Sequence, residues 1–394
     1  MHVLLVNLIT FVIIPLIMEG GIYIHIAYCR SKCLYCDFYS GGLKIADWEK
    51  YTQAITNESI FRKSELNFAP VSLYIGGGTP SLMPMEYLGS LVDSINNFTV
   101  NTWHEFTLEV NPEDVTKTNC DFWESIGVNR ISLGLQTLND NILKKIGRNH
   151  DSITALKALN LLTSKFENVS VDIIFGLPGQ NLDEYRKTIE KVIDFHPTHI
   201  SSYSLMLEPG TVMTFLEQKG KLTLPTEEEW LSMFKLTTDL LKGAGYKRYE
   251  ISNYAIPGFE SKHNSNYWTD KPYLGLGPGA HSFDGFFIRR ANPNDLKGYI
   301  TRFVNNSNDY KPFYNEEHLS KEERKEEIIM TSLRTCKGLN IKKIGEKFGD
   351  ECKRKLLHQS ASFIEKGLMK ESSDYLFFTD EGFLISDAII SELI

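Results

Sequence analysis

The sequence predicts an α/β fold: a partial (β/α)6 barrel, open on one side, joined to a C-terminal winged-helix-like helical module. Two observations carry this. Between Gly21 and Met206 an apolar, β-rich run, a turn and a helical period recur in six units, the pattern of a parallel sheet with helices outside. Beyond about Tyr314 the alternation stops, and three helical stretches and a short hairpin follow. A chain of 394 residues is too long for one ordinary core and suits such a two-part layout. A closed eight-stranded barrel would need further strands, and a doubly wound sheet is the architectural alternative.

Taken in order, the chain opens on an apolar leader, residues 1–18. The run from Val3 to Met18 has 16 residues with Asn7 and Pro15 inside, shorter than the ~20 that a membrane span needs. It lacks the basic start and small-residue cleavage site of a signal peptide. The favoured reading is that Met18 is the native start, and a membrane-touching segment is the rival. The barrel is expected over residues 19–250. Its strands fall at 22–27, 72–75, 105–110, 130–135, 170–175 and 199–205, all read as near-continuous apolar runs. Its helices fall at 47–62, 84–97, 114–126, 140–146 with 152–164, and 182–195. The first strand runs into Cys29, the second into GGGTP at 76–80, the third into Glu109 and the fourth into Gln136. The fifth contains Asp172 and ends at GLPG, 176–179. Parallel α/β sheets bind ligands at the C-terminal ends of their strands, so these ends form a single site.

Residues 251–313 read as a linking segment. It contains HNSNYW at 263–268 and a glycine-rich GLGPGAHS at 275–282, too irregular for a dinucleotide fingerprint. Residues 314–394 form the winged-helix-like module, with helices at 321–334, 341–348 and 351–366 and a strand at 375–379. It carries no dense basic face. The net charge of −8 also argues against a nucleic-acid partner. A composition of 42% hydrophobic and 23% charged residues is that of a soluble globular protein. Of six cysteines three cluster, and Cys120, Cys336 and Cys352 are scattered. That is no disulfide framework. It reads as a cytoplasmic, reducing setting with one metal or cluster site.

The cluster is Cys29, Cys33 and Cys36, spaced C-x3-C-x2-C. Arg30, Lys32 and Asp37 interleave the thiols and would not share a core with them. Structural zinc asks for four closed ligands, whereas three thiolates leave one position open. His25 reads as a core or supporting histidine. An iron–sulfur cluster with one iron left for an exchangeable ligand fits the spacing better.

At this point the sequence resembles the radical S-adenosylmethionine proteins, whose signature is C-x3-C-x2-C after the first barrel strand. IYIHIAYC, CDFY, YIGGGTPSL, LEVNPE, ISLGLQ, IGRNH, DIIFGLPGQ, SLMLEPGT, YEISNYA and LGPGAHSF look like the oxygen-independent coproporphyrinogen III oxidase family, from about residue 20 to the C-terminus. The resemblance implies a radical S-adenosylmethionine barrel with a [4Fe-4S] cluster on Cys29, Cys33 and Cys36. It implies S-adenosylmethionine on the open iron, with Tyr23, Tyr35, Gly77, Gly78, Thr79, Glu109, Gln136, Arg148 and Asp172 lining its site.

Within that family, the oxidase has a further cysteine in C-x3-C-x2-C-x-C. Here Phe38 stands in its place. The oxidase's long N-terminal extension is also missing ahead of the first strand. Both features resemble the HemW-type heme chaperones. HNSNYW is similar to that subgroup's proposed heme-binding motif, which implies His263 as a heme ligand with Tyr267 and Trp268 beside the porphyrin. The resemblance thus implies a heme chaperone that hands heme to a membrane respiratory protein. The oxidase is the alternative. Peripheral membrane association and a homodimer are further options.

Overall fold

The structure is a computed structural model that describes residues 18–99, 102–305 and 311–394. The leader read at residues 1–18 lies, apart from Met18, outside the described residues. All the expected barrel strands form: β1 (Glu19–Ile26), β2 (Ala69–Gly77), β3 (Glu105–Val110), β4 (Arg130–Gln136), β5 (Asn168–Phe175) and β6 (His199–Ser204). Each pairs in parallel with the next. Helices α1 (Trp48–Phe61), α2 (Met85–Thr99), α3 (Lys117–Ser125), α4 (Asp140–Lys145), α5 (Ser152–Lys165) and α6 (Leu182–Ile193) form the crossovers.

The strands are not uniformly apolar, which corrects the expectation from sequence. They alternate. Ile22, Ile24 and Ile26 of β1, Leu73 and Ile75 of β2, and Phe106 and Leu108 of β3 are fully buried in one apolar core with the helices. The alternate positions carry Tyr23 and His25, Ser72 and Tyr74, and Glu105, Thr107 and Glu109. β4 adds Arg130 and Ser132, and β5 adds Ser170 and Asp172. The concave face of the barrel is therefore polar, and a ligand there meets hydrogen-bonding groups rather than a packed apolar plug.

A second correction concerns residues 251–313, which build the sheet rather than link domains. Strand Tyr273–Leu276 lies parallel to β1 on its outer edge, a seventh parallel strand. His281–Phe283, Ile288–Ala291 and Asn315–His318 continue outward antiparallel. On the far side Asn253–Ala255 pairs antiparallel with β6. These strands hold three or four residues each, too short for period-two alternation to show in the sequence. The glycine-rich stretch is the hairpin between two of them. A Cβ on Gly275 would fall 2.0 Å from His281 O. The buried Glu58 carboxylate holds the hairpin by accepting from Gly277 N–H at 2.8 Å, Asn292 Nδ2 at 2.7 Å and Tyr299 OH at 2.6 Å.

Because Asn315–His318 belongs to the large sheet, the C-terminal module starts after it. Helices Lys321–Leu333, Ile341–Phe348 and Asp350–Glu365 precede the hairpin Met369–Ser372 and Tyr375–Phe378, and Leu339–Asn340 pairs with its second strand. The module is docked on the barrel edge. Ile251 N–H donates to Arg334 O and Cys336 N–H to Tyr249 O, each at 3.0 Å, and Arg289 pairs with Glu327 at 2.7 Å. No helix among the described residues is long and apolar enough to cross a membrane.

Candidate functional site

The cysteine loop is pinned by protein contacts at several points. After β1 the chain returns at Gly41, whose N–H donates to Ala27 O at 2.8 Å. His25 Nε2 is hydrogen-bonded to Tyr39 O at 2.8 Å and fixes the returning limb. Cys36 N–H donates to Cys33 O at 3.2 Å, closing a turn between two thiols. Leu34 N–H donates to Ile146 O at 3.0 Å, and Leu34 O accepts from Met213 N–H at 2.9 Å. The three thiols, all half-buried, line one cavity of about 470 Å³ at the C-terminal ends of the barrel strands.

Their chemistry suits a cluster. Thr79 Oγ1 lies 3.5 Å from Cys29 Sγ and Arg148 Nη1 lies 3.7 Å from Cys33 Sγ, so two of the sulfurs already meet polar donors. Burial pushes the Cys36 thiol up to about 11, so it keeps its proton until a metal displaces it. Among the described residues, no three His, Cys, Asp or Glu side chains close around a single ion. Three free thiols from one loop on one cavity suit a polynuclear centre that leaves an iron open to a further ligand.

Two carboxylates face the same cavity. Glu109 accepts from Tyr74 OH at 2.8 Å and from Gly77 N–H at 3.1 Å. Burial, reinforced by the neighbouring Asp172 charge, raises its carboxyl to about 7 in spite of those bonds. Asp172 accepts from Ser132 Oγ at 3.0 Å, and burial raises it as well. Ligand hydroxyl or ammonium donors would stabilise both in the ionised form.

The glycines after β2 answer first to packing. A Cβ on Gly78 would lie 2.6 Å from Tyr28 O and 2.7 Å from Ile26 O, and one on Gly77 would lie 2.6 Å from the His25 ring. Gly77 also has φ +104°, the left-handed region that glycine tolerates. Gly78 N–H donates to Ile26 O at 2.7 Å and Thr79 N–H to Tyr28 O at 2.8 Å, so this loop is zipped to the chain that carries Cys29. Gln136, at φ +67°, follows a register shift in β4 that re-aims its side chain.

Arg148 braces the site. Its Nη2 donates to Gly134 O at 2.6 Å and to Asn111 Oδ1 at 2.7 Å, while its buried Nε has no hydrogen-bond partner among the described residues.

The structure thus brings Cys29, Cys33, Cys36, Tyr35, Gly77, Gly78, Thr79, Glu109, Gln136, Arg148 and Asp172 to one wall. It does not bring Tyr23 there. The Tyr23 hydroxyl is bonded to His25 Nδ1 at 3.0 Å and its ring lies against Tyr74 and His263. Sequence reading missed Arg130, Ser132 and Asn111, which also line the cavity. Arg130 and Ser132 were legible as alternate, inward positions of β4, but attention to strand ends alone passes over them.

His263 sits elsewhere than expected. It lies on the short helix Lys262–Trp268, whose N-terminus is held by Glu105 at the start of β3. That carboxylate accepts from Ser261 Oγ at 3.2 Å, Lys262 N–H at 2.7 Å and His263 N–H at 2.9 Å, matching the helix dipole. The His263 ring is 1% exposed, with Nδ1 bonded to Ser72 Oγ at 3.0 Å and Nε2 to Tyr267 OH at 2.9 Å. Neither ring nitrogen is free for iron in this structure. The imidazole packs the N-terminal end of the barrel, away from the cysteines.

Burial holds the His263 imidazole down at about 3, against 6.5 for a free histidine. The stability contributed by the neutral ring is therefore complete above pH 6.5 and is lost as pH falls toward 3. Lowering pH from about 7 to about 5 is expected to cost the wild type ~2 kcal/mol more than the H263Q variant. Urea unfolding of both proteins at the two pH values checks this. Taking the difference between them cancels the opposing contribution of Glu109, which is present in both proteins.

Comparison with known proteins adds independent information. Residues 23–192 match the model of the radical SAM superfamily, and residues 319–385 match that of the HemN C-terminal domain. The chain is 34% identical over 373 residues to the heme chaperone HemW of Bacillus subtilis (strain 168), covering 93% of this chain and 97% of that one. It is 30% identical to the heme chaperone HemW of Escherichia coli (strain K12), covering 94% and 97%. Among solved structures, the coproporphyrinogen III oxidase HemN of Escherichia coli, a radical SAM enzyme, superposes with a TM-score of 0.81 over 95% of this chain and 90% of that one. At 21% identity this shows the shared fold.

Proposed function

Because the chain belongs to the HemW heme chaperone family of the radical SAM superfamily, we propose that it binds heme and passes it to an acceptor protein, with a membrane respiratory protein as that acceptor. The observation that carries the reading is the near-full-length match to heme chaperones. Phe38 supports it, standing where the oxidase has its additional cysteine. The oxidase-like architecture supports the scaffold and says nothing of decarboxylation.

In this reading Cys29, Cys33 and Cys36 hold three irons of a [4Fe-4S] cluster. S-adenosylmethionine bound beside that cluster would supply one-electron radical chemistry once the cluster is reduced. Arg148 keeps Cys33 oriented against β4 and offers its cationic guanidinium to the ligand's carboxylate. Glu109 and Asp172 accept from the ligand's hydroxyl or amine donors.

Glu109 makes that binding pH-dependent. A carboxyl near 7 is mostly protonated at pH 6 and mostly ionised at pH 8. S-adenosylmethionine affinity should therefore tighten about tenfold between those two values, and E109Q should bind weakly and without that slope. Equilibrium dialysis of the reconstituted protein measures both.

The chaperone reading itself is tested by transfer. Protein loaded with hemin is mixed with a heme-free membrane cytochrome, and the two are separated and assayed for heme. Movement of heme onto the cytochrome, faster than from free hemin, supports the reading. Heme that stays on the chain or simply leaks into solution opposes it.

A further inference from the structure

Resting on the heme reading above, we infer that heme docks across the mouth of the cysteine cavity, its face against Phe38 and Met206 and its carboxylate arms toward Arg30 and Lys32. Two observations point there. The histidine of HNSNYW is 1% exposed with both ring nitrogens bonded, so its imidazole offers iron no free nitrogen in this structure, while Asn264 of the same motif lines the cysteine cavity. At the opposite end of the barrel, Phe38 is 60% and Met206 66% exposed, and both line the cavity.

The two side chains come from different elements. Phe38 follows the last cysteine, and Met206 lies in the chain just beyond β6. Large apolar groups left in water on a shared cavity rim mark a surface that a ligand covers. A porphyrin fits what they offer: a flat π-face for the phenyl ring and a polarisable plane for the thioether.

Charge at the rim sets the orientation. Arg30 and Lys32 are exposed and line the cavity from the cysteine loop, with Arg30 paired to Asp114 at 2.8 Å. Asp37 and Glu208 also line it and repel carboxylates. Heme propionates are thereby directed toward the two cations. Lys32 is the freer cation of the two, because the Arg30 guanidinium is already engaged with Asp114.

The placement uses Phe38 for a purpose. Where the oxidase spends that position on a thiol, this chain puts an exposed ring next to the cluster ligands. Cargo held there would cover the cavity, so heme occupancy and access to the cluster site would be linked.

The test is hemin titration of the full chain, followed by the Soret band and by quenching of tryptophan fluorescence. The double variant F38A/M206A is compared with K32E and with F215A, which removes an exposed phenylalanine not lining the cavity. The double variant should bind hemin about tenfold or more weakly and K32E several-fold more weakly, with F215A like the wild type. All substituted side chains are exposed, so unchanged thermal midpoints are expected and serve as the folding control. Wild-type affinity in F38A/M206A would overturn the docking site, as would an equal loss in F215A. Absence of hemin binding by the wild type would overturn the heme reading on which the inference rests.

Discussion

Replacing Cys33 with alanine should abolish the iron–sulfur centre: after anaerobic reconstitution the variant is colourless and carries neither iron nor sulfide above background. Three thiols face the cavity, and the loop that carries them has no spare sulfur within it. Two thiolates cannot hold a cube of four irons against loss to solvent. The Cys33 position matters twice, because its sulfur also meets Arg148 Nη1 at 3.7 Å. Its removal leaves that buried guanidinium facing an empty site. Cys336, exposed and outside the cavity, provides the control, and C336A should reconstitute like the wild type. A brown C33A protein with full iron content would mean that the ligands are other residues.

Gly78→Ala should be nearly as severe, acting through the fold. The new Cβ would fall 2.6 Å from Tyr28 O and 2.7 Å from Ile26 O, both backbone atoms that cannot rotate away. Relief requires pulling the loop off the end of β1, which breaks the Gly78 N–H to Ile26 O and Thr79 N–H to Tyr28 O bonds at 2.7 and 2.8 Å. A loss of ~3 kcal/mol or more is expected. Denaturant unfolding measures it, and cluster content should fall in parallel because Thr79 donates to Cys29. Gly42→Ala is the matched control, since a Cβ there meets nothing within 4 Å. A G78A protein as stable as G42A would refute the packing argument.

Much of the site was legible because its residues sit at predictable places. Cys29, Gly77, Glu109 and Gln136 all follow or end parallel strands, and the six strands announce themselves by their apolar β-branched runs. What stayed hidden depends on tertiary closure. The helix bearing His263 is held by Glu105, 158 residues earlier in the chain, and no local pattern reports that bond. Tyr23 shares the inward face of β1 with His25, yet the bond between them turns it from the cavity. The edge strands from Tyr273 to His318 hold three or four residues each, too few to register as strands. They form because β1 offers a free edge and Glu58 anchors the hairpin. The polar lining of the barrel was readable as alternation. It was masked by taking each strand as a uniform apolar run.

The proposed function has an oxidase-like scaffold carry a porphyrin instead of modifying one. The most direct measurement pairs two assays on one anaerobically reconstituted preparation containing S-adenosylmethionine and reductant. One follows consumption of coproporphyrinogen III, and the other titrates hemin by its Soret band. Saturable hemin binding without coproporphyrinogen turnover is the predicted result. Turnover of coproporphyrinogen without hemin binding would make the chain an oxidase and overturn the chaperone function.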